Sequence, residues 1–336
     1  MSVTLSSAIS RIRPVCLLVL SACAGPARAP SAQPILLVSD RGGALRIDEE
    51  IEAGVVRPVG ARDGGGAHAD TMPARLPDGG IAFVSDRDGN PEIYLATAGG
   101  SVRRLTTDPP ASPSDDSAPA PLGDGRIVFA RTDPGAPRGA PRDLYTLRLD
   151  GGDLRRLTRH PGDDSEPWGS ADGRSVVFVS DRAGDSRIYV IPDADAADAE
   201  AGALCLSGPG PSGSAPPAGT GGTADHGPVF LADGSIVFSR RPAGGVPQLY
   251  VMGRAGAGAG LRQVTDALTL PFGAAEPVVP GDGTILFVTG PTGDGGMRGA
   301  AGRYIVYRIA LGGFNLTRLT SRRAPYSDFT RRLSED

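Results

Sequence analysis

The chain has 336 residues, of which 40% are hydrophobic and 21% are charged, so it is long enough to bury a substantial core. Its 49 glycines and 31 prolines are spread along the sequence, which favours short strands and frequent turns over long helices. The formal net charge of -4 provides no basic surface of the kind that binds nucleic acid. We therefore expect an all-β protein without a nucleic-acid partner.

Residues 1–22 have the features of an export signal. Arg11 and Arg13 precede an apolar run that is too short to cross a membrane as a helix. The run ends in Leu-Ser-Ala-Cys, which resembles the bacterial lipobox. The resemblance implies cleavage before Cys23, a diacylglycerol on its sulfur, and an acyl anchor for the mature chain. Residues 23–34 would then form a lipidated linker.

The residue after the lipobox bears on the destination of the protein. Ala24 stands where lipoproteins of the inner membrane commonly have Asp, so the resemblance implies the periplasmic side of the outer membrane. The alternative is an ordinary secretory signal cleaved near Ala27 or Ala29, which would release a soluble periplasmic protein. Either interpretation predicts export from the cytoplasm. After export only Cys205 remains in the folded part, so no intrachain disulfide is expected.

From residue 35 onward one pattern recurs six times. Its centre is an apolar run such as "IAFVS" or "VVFVS", preceded in five copies by an Asp-Gly or Gly-Gly turn and followed by a tyrosine and a Leu-Thr-like motif. Successive central residues are 46, 46, 49, 60 and 49 residues apart, and they are Leu37, Phe83, Phe129, Phe178, Phe238 and Phe287. Each copy provides four short β segments separated by hairpin turns.

Four antiparallel strands in a repeat of about 45 residues are typical of a propeller blade. The repeat predicts an all-β fold, a six-bladed β-propeller of four-stranded antiparallel blades over residues 35–330, followed by a tail at residues 331–336. A solenoid is the alternative, but solenoid repeats are usually shorter or helical. The first copy lacks the segment before its apolar run. We expect residues around 324 to 330 to supply that strand and close the ring, which would otherwise leave two free sheet edges.

The repeat resembles that of TolB-like propellers, which reads Pro-x-Trp-Ser-Pro-Asp-Gly, an apolar run, Ser-Asp-Arg, Gly, Ile-Tyr, Gly-Gly and Leu-Thr. The resemblance covers about residues 35 to 330 and is closest over 72–106 and 166–191. TolB itself has a separate α/β domain before its propeller, whereas here only a short linker follows Cys23. The resemblance therefore implies a binding role in the cell envelope without that domain.

The stretch "IAFVSDRDGNPEIY" also resembles the beginning of a calcium loop, because Asp86, Asp88, Asn90 and Glu92 alternate along it. It lacks the closing bidentate glutamate, and the full acidic run occurs in one copy of six. We expect the Ser-Asp-Arg triplet that begins at Ser85 to follow the innermost strand, with Asp86 capping the hairpin and pairing with a neighbouring arginine.

Charged residues are expected to collect on one face of the propeller, where the loops after the second strands and the linkers between blades meet. We call this face the mouth. A ring of mixed charge around a channel is suited to binding a partner or ligand. The predicted channel-mouth residues are His68, Asp70, Arg87, Asp116, Arg131, Asp164, Glu166, Arg182, His226, Arg240 and Glu276.

These patterns favour a non-catalytic scaffold that binds an envelope protein or a cell-wall-associated ligand. The protein is expected to be a monomer held at the membrane by its lipid, with no catalytic residue, metal or cofactor. The alternative is a metal-dependent polysaccharide lyase, or another propeller hydrolase, that uses the histidine and acid cluster of the mouth. A Gly-x-Ser-x-Gly nucleophile elbow, which a peptidase domain would carry, does not occur in a strand-turn-helix context.

Overall fold

The computed structural model describes residues 35–39, 45–52, 55–59, 68–109, 111–208, 223–253, 260–289, 305–313 and 315–319. These residues form six antiparallel sheets and a short 3-10 helix, Glu200–Gly202. The export signal, Cys23 and the predicted closing segment 324–330 lie outside them. Within the described ranges, no helix combines the length and the apolar character needed to cross a membrane.

The sheets follow one another in chain order, and we number them 1 to 6. Sheet 1 has three strands, and sheets 2 to 6 have four, each bonded to the next along the chain. The strands of sheets 1 to 3 are β1 (Ile35–Ser39), β2 (Arg46–Glu52), β3 (Val55–Pro58), β4 (Asp70–Arg75), β5 (Ile81–Ser85), β6 (Glu92–Ala96), β7 (Val102–Arg104), β8 (Asp116–Leu122), β9 (Arg126–Thr132), β10 (Arg142–Arg148) and β11 (Arg155–Arg156). Those of sheets 4 to 6 are β12 (Asp164–Gly169), β13 (Val176–Ser180), β14 (Arg187–Ile191), β15 (Leu204–Cys205), β16 (Ala224–Phe230), β17 (Ile236–Arg241), β18 (Gln248–Met252), β19 (Arg262–Gln263), β20 (Ala275–Val278), β21 (Thr284–Thr289), β22 (Ile305–Ala310) and β23 (Thr317–Arg318).

Sheets 2 to 6 are the blades of a β-propeller. Their first strands contact one another in order, β4 with β8, then β12, β16 and β20, so the first strand of each blade is the innermost. The prediction of a propeller with four-stranded antiparallel blades is confirmed. The predicted number of complete blades was six, whereas the described residues contain five. Sheet 1 has three strands in the described residues, and the segment predicted to supply its innermost strand lies outside them.

The apolar run of each repeat forms the second strand of a blade and the centre of its core. Five phenylalanines on these strands are completely buried, at 0% exposure, and they are Phe83, Phe129, Phe178, Phe238 and Phe287. Each ring lies 5.8 to 6.0 Å from the ring of the tyrosine opposite it on the third strand. Burial of one such side chain contributes on the order of 2–3 kcal/mol. The continuous hydrophobicity of the runs follows from burial on both faces of the blade.

The Leu-Thr motif fastens the outermost strand of a blade. The Thr106 hydroxyl accepts a hydrogen bond of 2.8 Å from the backbone N–H of Ile93 at the start of the third strand. The same contact is made in the next three blades by Thr158, Ser207 and Thr265. A serine can replace the threonine in sheet 4 because only the hydroxyl is required.

A buried ion pair joins the first and second strands in four blades. Arg131 donates two hydrogen bonds to the carboxylate of Asp116, at 2.6 and 2.8 Å. The aspartate side chains of these pairs are at most 5% exposed and the arginines between 6% and 13%. We call these pairs the Asp–Arg clamps, and they are Asp70–Arg87, Asp116–Arg131, Asp164–Arg182 and Asp225–Arg240.

Each clamp arginine also lies over the aromatic pair of its own blade. The Arg182 guanidinium carbon is 5.5 Å from the centre of the Phe178 ring and 4.9 Å from that of Tyr189. The other three arginines make the same two ring contacts. Burial raises the pKa of Asp116 and of Asp164, although each accepts hydrogen bonds from its arginine. Each aspartate thus depends on its arginine to offset the cost of burying its charge, and loss of either partner would leave the other charge buried and uncompensated.

Two expectations about the Ser-Asp-Arg triplet are wrong. The triplet that begins at Ser85 follows β5, which is the second strand and not the innermost one. Arg87 pairs with Asp70 at 3.0 Å rather than with its neighbour Asp86. The Asp86 carboxylate instead accepts a hydrogen bond of 2.7 Å from the backbone N–H of Ala69. The short aspartate reaches only the adjacent linker, whereas the longer arginine spans the gap to β4.

The other polar residues of the calcium-like stretch have protein partners. Asp88 accepts hydrogen bonds from Tyr94 and Arg104. The Asn90 amide donates to the backbone carbonyl of Ser114 at 2.7 Å. Glu92, on the third strand of its blade, accepts a hydrogen bond of 2.6 Å from the hydroxyl of Thr106, which follows the fourth strand. Its carboxylate therefore helps to hold these two strands together.

Removing one member of a clamp should cost far more stability than breaking an exposed pair. We expect Asp225→Ala to lower the free energy of unfolding by about 3–5 kcal/mol, because it leaves the buried Arg240 charge without its carboxylate partner. The control is Arg174→Ala, which breaks the Arg174–Asp193 pair whose side chains are 66% and 43% exposed. That loss should stay below about 1 kcal/mol. Denaturant unfolding measures both, and equal losses would contradict the structural role of the clamp.

Candidate functional site

The innermost strand of every complete blade contains a β-bulge at a residue that precedes proline. The pairing register shifts across this point in all five blades. The residue before the proline has a left-handed conformation, with φ between 49° and 60°. The bulge accommodates the proline, which has no N–H to donate to the hydrogen-bond ladder of the sheet. These five bulge residues are Met72, Ala118, Glu166, Gly227 and Glu276.

Two pairs of neighbouring bulges are connected by a hydrogen bond from one blade to the next. The Met72 sulfur lies 3.2 Å from the backbone nitrogen of Ala118, which donates to it. The Glu166 carboxylate accepts a hydrogen bond of 2.7 Å from the backbone N–H of Gly227. A side chain at one bulge can thus satisfy the backbone donor that the next bulge releases from the ladder.

Three ionisable side chains meet at the inner edge of sheets 4 to 6. His226 Nδ1 is 3.4 Å from Glu166 Oε1, and the two side chains are 43% and 41% exposed. Glu276 occupies the next bulge and interacts electrostatically with both. Gly227 lies between the two glutamates in the ring of bulges and contributes no side chain. We call Glu166, His226 and Glu276 the central triad.

The pKa values of the two carboxyl groups of the central triad are shifted in opposite directions. Burial alone would raise the pKa of Glu166, but the adjacent His226 lowers it to about 2. Burial would lower the pKa of His226, but the Glu166 carboxylate raises it above its ordinary value. Burial and repulsion from Glu166 raise the pKa of Glu276 to about 8. These opposite shifts favour an ion pair between Glu166 and His226, and the pKa of Glu276 leaves that carboxyl group mostly protonated at neutral pH.

Seven of the eleven predicted channel-mouth residues belong to the Asp–Arg clamps and are occupied by internal contacts. They are Asp70, Arg87, Asp116, Arg131, Asp164, Arg182 and Arg240. His68 is only 9% exposed, and Arg46 donates a hydrogen bond to its Nε2 at 2.7 Å. The remaining three predicted residues are the central triad. The sequence did not single out the bulges, although the recurrence of a residue followed by proline in five copies was a signal for them.

The histidines of the chain lie apart from one another. His160 accepts a hydrogen bond of 2.9 Å from the Gly162 N–H, while His68 and His226 have the separate partners described above. In the part of the chain that the structure describes, no group of three histidine, cysteine or acidic side chains is arranged to hold a metal ion. The central triad resembles a charged binding surface more closely than a metal centre.

No family model matches the chain. Among curated proteins, it is similar to the Tol-Pal system protein TolB of Bordetella pertussis, with 49% identity over 47 residues. That match covers 14% of this chain and 11% of the relative, so it is confined to a small part of both. Equal matches occur to the same protein of Bordetella parapertussis and Bordetella bronchiseptica.

Solved structures reproduce the arrangement of blades over most of the chain. TolB from Acinetobacter baumannii superposes with a TM-score of 0.57 at 20% identity, over 83% of this chain and 61% of that one. A puromycin-hydrolyzing peptidase of Mycobacterium tuberculosis gives 0.58 at 15% identity, over 93% and 45%. Identities this low establish the fold and carry no activity from one protein to another. Together with the local match to TolB, they confirm that the chain is a TolB-like β-propeller.

Proposed function

We propose that the protein is a non-catalytic scaffold that binds an envelope protein or a cell-wall-associated ligand through the mouth of its central channel. The observation that carries this proposal is the central triad. It places three ionisable side chains at the inner edge of the ring, two of them about two-fifths exposed, while the clamp charges around it are buried. A polar group set in a concave opening is suited to orient a ligand. The curated relatives are Tol-Pal system proteins named TolB, which supports a role in the cell envelope.

Site-specific photo-crosslinking tests the binding role. A photoreactive amino acid at position 267, an exposed alanine on the linker between β19 and β20, should give a discrete crosslinked species in intact cells. The same group at position 150, on an exposed loop between β10 and β11 at the opposite face, should not. Equal crosslinking at both positions would contradict binding at the mouth. Stoichiometric metal in the purified protein that is lost in His226→Ala would instead favour the metal-dependent alternative.

We further propose that Cys23 carries a lipid that holds the protein on the periplasmic side of the outer membrane. The Leu-Ser-Ala-Cys sequence supports this, because it resembles the bacterial lipobox. Several acyl chains would bind a bilayer far more stably than one. Cys23→Ala should move the protein from the membrane to the soluble fraction on cell fractionation, with an outer-membrane marker protein as the control. Retention of the variant in the membrane fraction would contradict the lipid anchor.

Ring closure is the third proposal: residues around 324 to 330 supply the innermost strand of sheet 1 and complete a sixth blade. In the described residues β1 pairs only with β2, although it corresponds to the second strand of the other blades. The sequence Ala324-Pro325-Tyr326 repeats the pattern of Glu166-Pro167-Trp168. Both features support pairing of this segment with β1.

Truncation distinguishes a closing strand from a surface tail. Deletion of residues 320–336 should lower the free energy of unfolding by more than about 3 kcal/mol, because it exposes the edge of β1 and one side of the core. Deletion of residues 331–336 is the matched control and should have little effect. If the two deletions have equally small effects on chemical denaturation, the segment does not close the ring.

A further inference from the structure

One linker on the mouth face presents large apolar side chains to solvent. It joins β19 to β20, and on it Leu268 is 97% exposed and Phe272 is 58% exposed. The other exposed large apolar side chains of the described residues, Leu154, Leu204 and Leu261, lie at or just before fourth strands on the outer edge. The pair on this linker is therefore the apolar surface that lies on the same face as the central triad.

The exposure of these side chains follows from a defined loop conformation. The Asp266 carboxylate accepts hydrogen bonds of 2.9 Å from the N–H groups of Leu268 and Thr269. The backbone closes a turn from Leu270 N–H to the Asp266 carbonyl, and the loop ends with Ala274 N–H bonded to the carbonyl of Pro247. The loop thus holds apolar surface in water, which is unfavourable until a partner covers it.

Glu276 of the central triad lies two residues after Ala274, where that loop ends. Both oxygens of Glu166 already face partners, the Gly227 N–H and His226. Glu276 has no hydrogen bond or ion pair within the described ranges, and its neighbours are the Glu166 carboxylate and His226. Once ionised, Glu276 places a second carboxylate beside Glu166, which disfavours an anionic ligand, whereas a ligand cation would favour this ionised form and gain an unused acceptor.

We propose that Leu268, Phe272 and Glu276 form a docking surface for a segment of a partner protein in which a lysine or arginine lies beside a large apolar side chain. This inference rests on the binding role proposed above and specifies the chemistry of the partner. The basic group binds the Glu276 carboxylate at the centre of the ring. The apolar side chain covers Leu268 and Phe272 on the linker, and this burial supplies the hydrophobic part of the affinity.

A bead-bound library of random N-acetylated hexapeptides tests the two halves of the surface separately. The wild-type protein should select peptides that contain a lysine or arginine next to Phe, Leu, Trp or Tyr. Glu276→Gln should lose the basic preference and keep the apolar one, with binding of a selected peptide weakened on the order of tenfold or more. Leu268→Ser combined with Phe272→Ser should show the opposite pattern. Thermal unfolding of each variant checks that the fold is retained.

Matched controls lie on the loop between β10 and β11 at the opposite face of the ring. Asp150 is an acidic residue whose side chain is 65% exposed, and Leu154 is a leucine that is 49% exposed. Asp150→Asn and Leu154→Ser remove the same kinds of group as the test variants. Both should leave the selected sequences and their affinities unchanged.

The pH dependence of binding provides a second readout. The charged groups that face Glu276 are Glu166 on β12 and His226 on β16, while Asp225 and Arg240 are already paired. Because Glu276 is protonated below about pH 8 and a bound cation favours its ionised form, affinity for a basic peptide should rise from pH 6 to pH 8. Deprotonation of His226 acts in the same direction. Glu276→Gln should flatten this dependence.

Several outcomes would overturn the inference. Selection of acidic peptides would do so, as would basic peptides that bind Glu276→Gln as well as wild type. Failure of the library to yield any sequence preference would also count against it. If position 267 still crosslinks a partner in cells under that last outcome, the binding role stands and the partner chemistry is wrong. If neither experiment gives a signal, both are wrong.

Discussion

The structure depends on the cost of burying a charge without its partner. Four blades place an aspartate at the start of the innermost strand and an arginine at the end of the second, and the two charges meet in a nearly dry site. The arginine also covers the Phe and Tyr rings of the blade core. Polar and apolar packing are thereby joined at one point, so the strand pairing, the aromatic core and the mouth face are held in a single geometry.

The candidate site arises where the repeat departs from its own pattern. All five complete blades share the bulge before proline, but the bulge residue is uncharged in sheets 2 and 3 and acidic in sheets 4 and 6. Sheet 5 has Gly227 at the bulge and His226 beside it. The clamp aspartate is also replaced in sheet 6, where Ala274 stands at the corresponding position. The ionisable groups at or beside the bulges therefore collect in sheets 4 to 6, so the candidate site lies at these three neighbouring blades and is not shared evenly among all five.

The periodic features were predictable from the sequence because each blade repeats the same packing problem. An apolar run buried on both faces gives a strong signal, and the five buried phenylalanines were placed correctly. The clamps were harder to predict. Asp70 and Arg87 are 17 residues apart, and only the register of β4 against β5 brings them together. Seven residues that looked available for binding are consequently part of the framework.

The bulges escaped prediction for a different reason. A residue before proline usually adopts an extended conformation, so a left-handed Glu166 or Glu276 contradicts the local preference and depends on the surrounding sheet. Local sequence patterns also could not determine the number of complete blades, because closing a ring depends on a segment far along the chain from the strand it must join. Local periodicity thus predicts the blade, and long-range pairing determines the site.

A double-mutant cycle on Asp225 and Arg240 measures the coupling within one clamp, because no second carboxylate pairs with Arg240 in the described residues. The two single alanine variants and the double variant are compared with wild type in the free energy of unfolding. We expect a coupling energy above about 2 kcal/mol, because the second substitution removes the charge that the first leaves buried and unpaired. A coupling energy near zero would mean that the paired charges do not hold the blade together, and would return the clamp arginines to the candidates for binding at the mouth.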